Sequence, residues 1–422
     1  LIESVFSRKG AEIVSGSRAA FDAGFTEPLI VEARAARNMP EPGEAKHEHQ
    51  RWQISGNEGC GLGALRGGIR FAAAYPITPA SDLLEWLSPR LDQLGGSLVQ
   101  AEDELASINM VIGASFGGIP SMTATSGPGL ALMLESLGLS VASETPAVVV
   151  NVMRGGPSTG IPTKSEQVDL NIALHGMHGD APHLVLGALD HADCVLTTEW
   201  SVRLSEALQT VAIVLTDQSL AQSRALIPAP DYQLPRVPPR RVAIADEAYQ
   251  RYEITADGVS PMAVPGTPCS TYVADGLEHT ETGKPSTAAA DHARQLDKRL
   301  NKLADFDYGE HWADVRGGGS TAMITWGSTT TAVREAAERL ERSGREVKVI
   351  ALRLLMPASA QKLAAELEGI DRVLVVEQSH GRQFYHYLRA YYDLDAEIAI
   401  LARPGPLLLT PGEIVEHVEN WS

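Results

Sequence analysis

Ala74-Tyr75-Pro76-Ile77-Thr78-Pro79-Ala80-Ser81 joins an apolar run to a helical one, and its two prolines govern the junction. Pro76 drives Tyr75 into an extended conformation and so ends a strand over Arg70–Tyr75. Thr78 followed by Pro79 has the pattern of an N-cap and a first helical residue, where a missing N–H costs least, so a helix is expected over Ala80–Leu91. A helix that starts just beyond the carboxyl end of a strand gathers free N–H groups and favours anions. The rigidly held Thr78 hydroxyl is then either part of a well-made cap or a group presented to a small ligand.

Outward from this junction, short apolar strands alternate with helical stretches from Arg51 to about Ala229. The strands are Arg70–Tyr75, Ser97–Ala101, Pro120–Thr125, Ala147–Met153, His183–Gly187 and Val211–Thr216. Helices of roughly a dozen residues between strands are the mark of right-handed βαβ units around a parallel sheet. Residues 230–318 change character, with clustered Pro, Gly, Thr and charge, and read as a connector carrying one helix near Ala288–Asp305. The alternation returns at 319–422 as a smaller α/β domain with strands Ala322–Trp326, Val347–Leu352, Arg372–Glu377 and Glu397–Leu401. Its first helix turns Val333, Ala336, Ala337 and Leu340 inward and stops at Gly344. Residues 1–50 open with an amphipathic stretch (Ile2, Val5, Phe6) and run into a polar linker, Pro40–Gln50.

A chain of 422 residues has room for two or three domains. Its net charge of -18 argues against a nucleic-acid partner, which needs basic patches. Three widely spaced cysteines, Cys60, Cys194 and Cys269, exclude a disulfide framework and an all-cysteine four-ligand iron–sulfur site. The apolar segments Leu130–Leu139 and Pro146–Met153 are too short or too interrupted to span a bilayer. No secretory pattern is read in the opening residues, and a reducing cytoplasm is expected. The first residue is leucine, as expected of a fragment or a processed product.

Three more segments bear on chemistry. Glu102-Asp103-Glu104 precedes the apolar helix Leu105–Phe116. Acidic residues favour any first turn, but Glu104 shares a face with Ile108 and so is the one that can turn inward. Ser126 and Gly127, within Thr125-Ser126-Gly127-Pro128-Gly129, link a strand to a helix and allow close backbone approach by a ligand. Arg154 opens the loop Gly155-Gly156-Pro157-Ser158-Thr159-Gly160 at a strand's carboxyl end. It either clamps a carboxylate in the crevice or is a solvated loop arginine. Two patterns mislead. Gly59-Cys60-Gly61-Leu62-Gly63 has the wrong spacing for a dinucleotide fingerprint and no convincing strand before it, so helix packing explains its glycines better. His175, His178, Asp180 and His183 lie around a turn, not on a ligand-bearing helix.

In combination these segments resemble the α subunit of the 2-oxoacid:ferredoxin oxidoreductases. YPITPAS (Tyr75–Ser81), AEDELASINMVIGAS (Ala101–Ser115), TSGPG (Thr125–Gly129) and MRGGPSTGIPT (Met153–Thr163) occur in the family's order, with VEQSHGRQFYHYLR (Val376–Arg389) in the second domain. The match runs from about Ile54 onward and looks closest to the 2-oxoglutarate branch. The resemblance implies a thiamine-diphosphate-binding parallel-sheet domain of the pyrimidine-binding type, followed by a smaller transketolase C-terminal-like α/β domain. It implies that Glu104 hydrogen-bonds the cofactor's aminopyrimidine and favours its imino tautomer, with Tyr75, Pro76, Ile77, Ser126 and Gly127 around the cofactor. Thr78 and Arg154 would bind the substrate, with Thr159 and Thr163 in the same pocket.

The family also needs a diphosphate and Mg2+ domain, usually marked by Gly-Asp-Gly, and a [4Fe-4S] cluster. This sequence has neither the tripeptide nor a cysteine set for a cluster. Both are therefore expected on a β subunit, in an (αβ)2 assembly acting with ferredoxin, coenzyme A and a 2-oxoacid. Residues 1–27 resemble the tail of a γ domain that some relatives fuse ahead of α. Pyruvate or a branched-chain 2-oxoacid is the alternative substrate. A non-catalytic nucleotide-binding or scaffolding protein is the alternative class.

Overall fold

A computed structural model describes Glu3, residues 6–26, 51–230, Tyr232, Leu234, and residues 236–244 and 249–421. The chain forms two compact units, residues 1–50 and 51–422. In the first, a 3-10 turn (Ser7–Lys9) precedes helix α1 (Ala11–Thr26). Of the expected amphipathic stretch, the described residues Glu3 and Phe6 are helical, and Gly10 at φ 99° separates the turn that follows them from α1. Ile2, Val5 and the linker Pro40–Gln50 lie outside the described residues.

The second unit begins with β1 (Arg51–Ser55), α2 (Gly56–Gly67), β2 (Phe71–Ala74), α3 (Ser81–Gln93), β3 (Ser97–Gln100) and α4 (Glu104–Phe116). It continues with β4 (Ser121–Thr125), α5 (Gly127–Ala142), β5 (Ala147–Met153), α6 (Leu170–His175), β6 (Leu184–Gly187) and α7 (His191–Leu208). β7 (Val211–Asp217), α8 (Gln218–Gln222) and β8 (Arg224–Pro228) precede the connector, whose helix is α9 (Ala289–Ala304). Next come β9 (Ala313–Gly317), β10 (Thr321–Trp326), α10 (Thr329–Arg342), β11 (Lys348–Leu352) and β12 (Leu354–Met356). α11 (Ala360–Glu366), β13 (Arg372–Glu377), α12 (Gln383–Tyr391), β14 (Glu397–Ala402) and α13 (Pro411–Glu419) complete it.

The larger sheet has the order β12-β6-β7-β5-β4-β2-β3 and is parallel except at its edge strand β12. Every residue of β4, β5 and β7 is buried, as expected of strands covered on both faces. The smaller sheet has the order β14-β13-β10-β11-β9, with β9 antiparallel. Two strands cross the division drawn from sequence. β9, within residues 230–318, belongs to the smaller sheet, and β12, within 319–422, pairs with β6 of the larger one.

The glycines of α2 serve close packing on α7. A Cβ at Gly59 would stand 3.0 Å from the Cys194 Cβ, and one at Gly63 would stand 2.3 Å from the Val195 carbonyl oxygen. A strand does precede this helix, contrary to expectation: β1, which among the described residues pairs antiparallel with β8 alone. The helix start is nonetheless closed by its own residues, because Ser55 and Glu58 form a capping box. No helix among the described residues is long and apolar enough to cross a membrane.

The connector is fastened by charge. Glu144, fully buried just after α5, accepts from Lys298 Nζ at 2.7 Å and Lys302 Nζ at 3.0 Å, both on α9. Arg251 donates to the Glu144 carbonyl oxygen at 2.8 Å. Burial opposes ionisation of Glu144, yet the two ammonium groups hold its carboxyl below the usual carboxylate range. Burial also pulls Lys302 down to about 8, against the attraction of Glu144. Replacing Glu144 with Gln leaves these cations without their counter-charge. That substitution is expected to cost about 3–5 kcal/mol of stability, read as a lower guanidinium midpoint at unchanged slope.

Candidate functional site

Parallel pairing brings the carboxyl ends of β5, β4, β2 and β3 to one edge of the sheet as neighbours. The segments that follow them are the four singled out in the sequence. After β2, the chain turns over residues 77–80, with the Ala80 N–H donating to Ile77 O at 2.8 Å. Helix α3 therefore starts at Ser81 with Ala80 as its N-cap, and Thr78 is not the cap expected of it. The physical reason is that Thr78 and Pro79 are used up in the turn itself. Buried Asn57 fixes this turn by donating from Nδ2 to Pro79 O at 2.9 Å. Thr78, Pro76 and Tyr75 are exposed and Ile77 is half-buried.

Arg154, at the end of β5, reaches across β4 and donates from Nη1 to Thr78 O at 2.7 Å. Its Nε is buried and has no protein partner among the described residues. The two residues proposed for one ligand thus meet, through the threonine's backbone.

Glu104 is the first residue of α4, whose N-cap is Asp103, accepting from Ala106 N at 2.7 Å. Glu104 is 7% exposed, whereas Glu102 and Asp103 face solvent. Room for it is made by Gly129, where a Cβ would lie 2.7 Å from Glu104 Cγ, 2.8 Å from its Oε1 and 2.1 Å from Thr125 Oγ1. Among the described residues no donor reaches the Glu104 carboxylate. Ser126 is the N-cap residue of α5, but its hydroxyl is buried and caps nothing.

The loop after Arg154 is closed on itself. Gly155 N–H donates to Lys164 O at 2.9 Å, and Ile161 N–H donates to Gly155 O at 3.1 Å. Gly160, at φ 65°, admits no side chain, because a Cβ would fall 1.4 Å from Gly155 O. Thr159 is exposed and Thr163 is half-buried at φ 39°. Among the described residues neither threonine bonds through its side chain to Thr78, Glu104 or Arg154.

Several groups at this edge escaped the sequence reading. Asp169 is buried, accepts from Asn151 Nδ2 at 2.8 Å and lies against Gly127. Burial pushes its carboxyl up to about 6, against the pull of Asn151 and Arg154. Burial also raises Glu166, which faces Gly155 and feels the charge of His380. The one clue was Asn151, a polar residue inside the otherwise apolar run Ala147–Met153. His183, weighed as a metal ligand, has both ring nitrogens 2.7 Å from carbonyl oxygens, those of Ala181 and Ala173, and burial pushes its imidazole down.

The residues present fit a thiamine-diphosphate site. A buried carboxylate with no donor among the described residues stands beside a glycine-bounded helix start. No cluster of three potential metal-ligating side chains is found among the described residues.

Comparisons with known proteins agree with this class. Residues 62–298 match the family described as pyruvate flavodoxin/ferredoxin oxidoreductase, thiamine diP-binding, and residues 310–404 match the transketolase C-terminal domain. The α subunit of 2-oxoacid:ferredoxin oxidoreductase 1 from Sulfurisphaera tokodaii is 35% identical over 380 residues, covering 85% of this chain and 60% of that protein. The 2-oxoglutarate synthase subunit KorA from Methanothermobacter marburgensis is 32% identical over 384 residues, covering 87% of this chain and 98% of that one. Among solved structures, the 2-oxoglutarate:ferredoxin oxidoreductase from Magnetococcus marinus aligns with a TM-score of 0.87 at 41% identity. It covers 99% of this chain and 73% of its own. A split-gene transketolase at 12% identity and a TM-score of 0.50 shares the fold alone.

The fold and the edge it builds define a thiamine-diphosphate-binding α/β protein. The chain belongs to the 2-oxoacid:ferredoxin oxidoreductase α-subunit family. It spans about 60% of the length of the Sulfurisphaera subunit.

The closed loop supplies a test that needs no substrate. Gly160→Ala forces Gly155 O and residue 160 apart, a misfit worth about 1–3 kcal/mol. Tryptic cleavage after Lys164 is expected to accelerate roughly tenfold or more, because it tracks the open form of the loop.

Proposed function

We propose that this chain is the α subunit of a CoA-acylating 2-oxoglutarate:ferredoxin oxidoreductase. The reaction converts 2-oxoglutarate and coenzyme A to succinyl-CoA and CO2, and the two electrons released pass to ferredoxin. The observation that carries the reading is Arg154, whose guanidinium reaches the Thr78 turn at the edge where Glu104 is buried. The substrate assignment is supported by the 2-oxoglutarate synthase relatives. It is supported too by the similar Magnetococcus enzyme, solved with 2-oxoglutarate, coenzyme A and succinyl-CoA bound.

When bound, thiamine diphosphate supplies the carbanion chemistry of the reaction. This chain holds its pyrimidine side. Glu104 would hydrogen-bond the aminopyrimidine and hold an exchangeable proton at its carboxylate, and Ser126, Gly127, Tyr75, Pro76 and Ile77 would line the cofactor's site. Arg154 receives the substrate carboxylate with a planar, permanently charged fork, and the Thr78 hydroxyl orients the keto end. Thr159 and Thr163 border the same pocket. Positioning of this kind lowers a barrier without new bonds from the protein. In this reading the diphosphate, Mg2+ and [4Fe-4S] sites belong to a β subunit, so the purified chain binds cofactor weakly and turns nothing over alone. Dye or ferredoxin reduction by the α–β complex across a panel of 2-oxoacids tests the reading. No turnover of any 2-oxoacid refutes it, and preference for pyruvate corrects the substrate.

Two substitutions separate roles within the site. Glu104→Gln is expected to lower kcat about 100-fold or more while Glu102→Gln stays within about twofold, because only the first turns inward. Equal effects in steady-state assays on the two complexes would remove the assignment of Glu104.

Arg154→Ala is expected to cost about 2–4 kcal/mol of transition-state stabilisation, roughly 30- to 900-fold in kcat/KM. Arg154→Lys is also harmful, because a point charge does not reproduce the bidentate fork. The thermal midpoint should move little. An alanine complex with near-normal kcat/KM, or one that loses activity only by unfolding, rules the carboxylate role out.

A further inference from the structure

Asp169 has no part in the roles assigned above, yet it lies where two of the loops meet. The residue is 8% exposed, and Oδ2 accepts from Asn151 Nδ2 at 2.8 Å. Asn151 is fully buried on β5, three residues before Arg154. The other face of the carboxylate lies against the first residue of α5. A Cβ at Gly127 would stand 2.6 Å from Oδ1 and 2.8 Å from Oδ2. Asp169 precedes α6 as its N-cap residue but makes no side-chain bond to that helix. Its carboxylate is therefore spent on two other elements. An asparagine would accept from Asn151 only as a neutral, weaker partner and would bring no negative charge to the start of α5, so the choice of an acid points to the charge itself.

We propose that Asp169 is a positioning residue that holds the Ser126–Gly127 start of α5 and the Arg154 end of β5 in one fixed relation. The proposal rests on the reading that these segments carry the cofactor and the substrate carboxylate. The helix start favours a negative group beside it. The guanidinium of Arg154 and the carboxylate of Glu166 are the charged groups acting on Asp169, and the first turns of α5 and α6 contribute no acid. Burial raises the Asp169 carboxyl from 3.8 to about 6. Between these values the native state binds a proton that the unfolded chain does not, so this residue makes stability fall as pH rises through that window and leaves it level above. The ionised, bridging form is the one present at neutral pH, and it is lost as pH falls through about 6.

The test compares wild type, Asp169→Asn and Asn151→Ser as full chains with the β partner, by hydrogen exchange, thermal midpoint and pH-dependent kinetics. Asp169→Asn is expected to raise exchange about tenfold at residues 126–130 and 153–156 together, the scale of one lost hydrogen bond to a charged group. KM for the oxoacid rises about tenfold with a smaller change in kcat, and the acid limb near pH 6 disappears. Asn151→Ser, which keeps the acid, loosens the same two segments and retains the acid limb. Unchanged exchange, exchange confined to one segment, or an acid limb that survives in Asp169→Asn overturns the proposal. So does a uniform loss of fold and activity in both variants. If the two segments loosen together but the wild-type complex oxidises no 2-oxoacid, the bridge stands and the functional reading falls.

Discussion

Parallel pairing of four adjacent strands, β5, β4, β2 and β3, is the constraint on which the site depends. Because the strands run the same way, each ends at the same edge, and the chain must leave that edge through a loop or a helix start. Segments separated by dozens of residues are thereby placed side by side without any contact of their own to bring them together. The bond from Arg154 Nη1 to Thr78 O, between residues 76 positions apart, needs nothing beyond this ordering and one long side chain.

Burying charge at that edge requires space, and the chain makes it with glycine. Gly129 leaves room for Glu104, and Gly127 for Asp169. The two carboxylates flank the start of α5, where unpaired N–H groups favour negative charge. Around Asp169, burial pushes the carboxyl up, Arg154 pulls it down and Glu166 pushes it up further. The same economy of side chain works elsewhere in this unit, where Gly59 and Gly63 let α2 approach α7. There the result is packing rather than a site. Glycine spacing alone does not distinguish the two uses; the neighbour of the missing Cβ does.

Much of this architecture was legible in the sequence because the parallel strands are short apolar runs separated by helical periods. The strands that went unread are those whose character is borrowed from a partner. β1 is half exposed and among the described residues pairs with β8 alone, and β12 has three residues and joins a sheet built mostly from residues more than a hundred positions earlier. At the site, Glu104 was legible because a helix face is a local property. Asp169 was not, since its burial depends on Asn151 and Gly127, neither of which is near it in sequence. Thr78 was misread as a cap because a Thr-Pro pair fits a helix start and a preceding turn equally well, and only the Ala80-to-Ile77 hydrogen bond decides between them.

The motif Val376–Arg389 finds its physical meaning in the same way. Glu377 accepts from Phe384 N at 3.0 Å, Tyr385 N at 2.9 Å and Ser379 Oγ at 2.6 Å, so its carboxylate closes the start of α12. Gln378 and Gln167 exchange bonds at the backbone, with Gln167 N–H donating to Gln378 O at 2.8 Å and Gln378 N–H donating to Gln167 Oε1 at 2.7 Å. Gln167 Nε2 goes on to Trp326 O at 2.9 Å, over Gly327, where a Cβ would stand 2.5 Å away. Gln383 adds a bond to each side of α6's start, at Val168 O and Asn171 N. The segment after the Arg154 loop is thus sewn to the smaller sheet through side-chain amides, groups that donate and accept at once and need no charge to be buried. One end of the loop is set by β5 and the other by β10, β13 and α12. The smaller sheet therefore anchors the far end of the Arg154 loop while holding none of the residues proposed to bind at the edge.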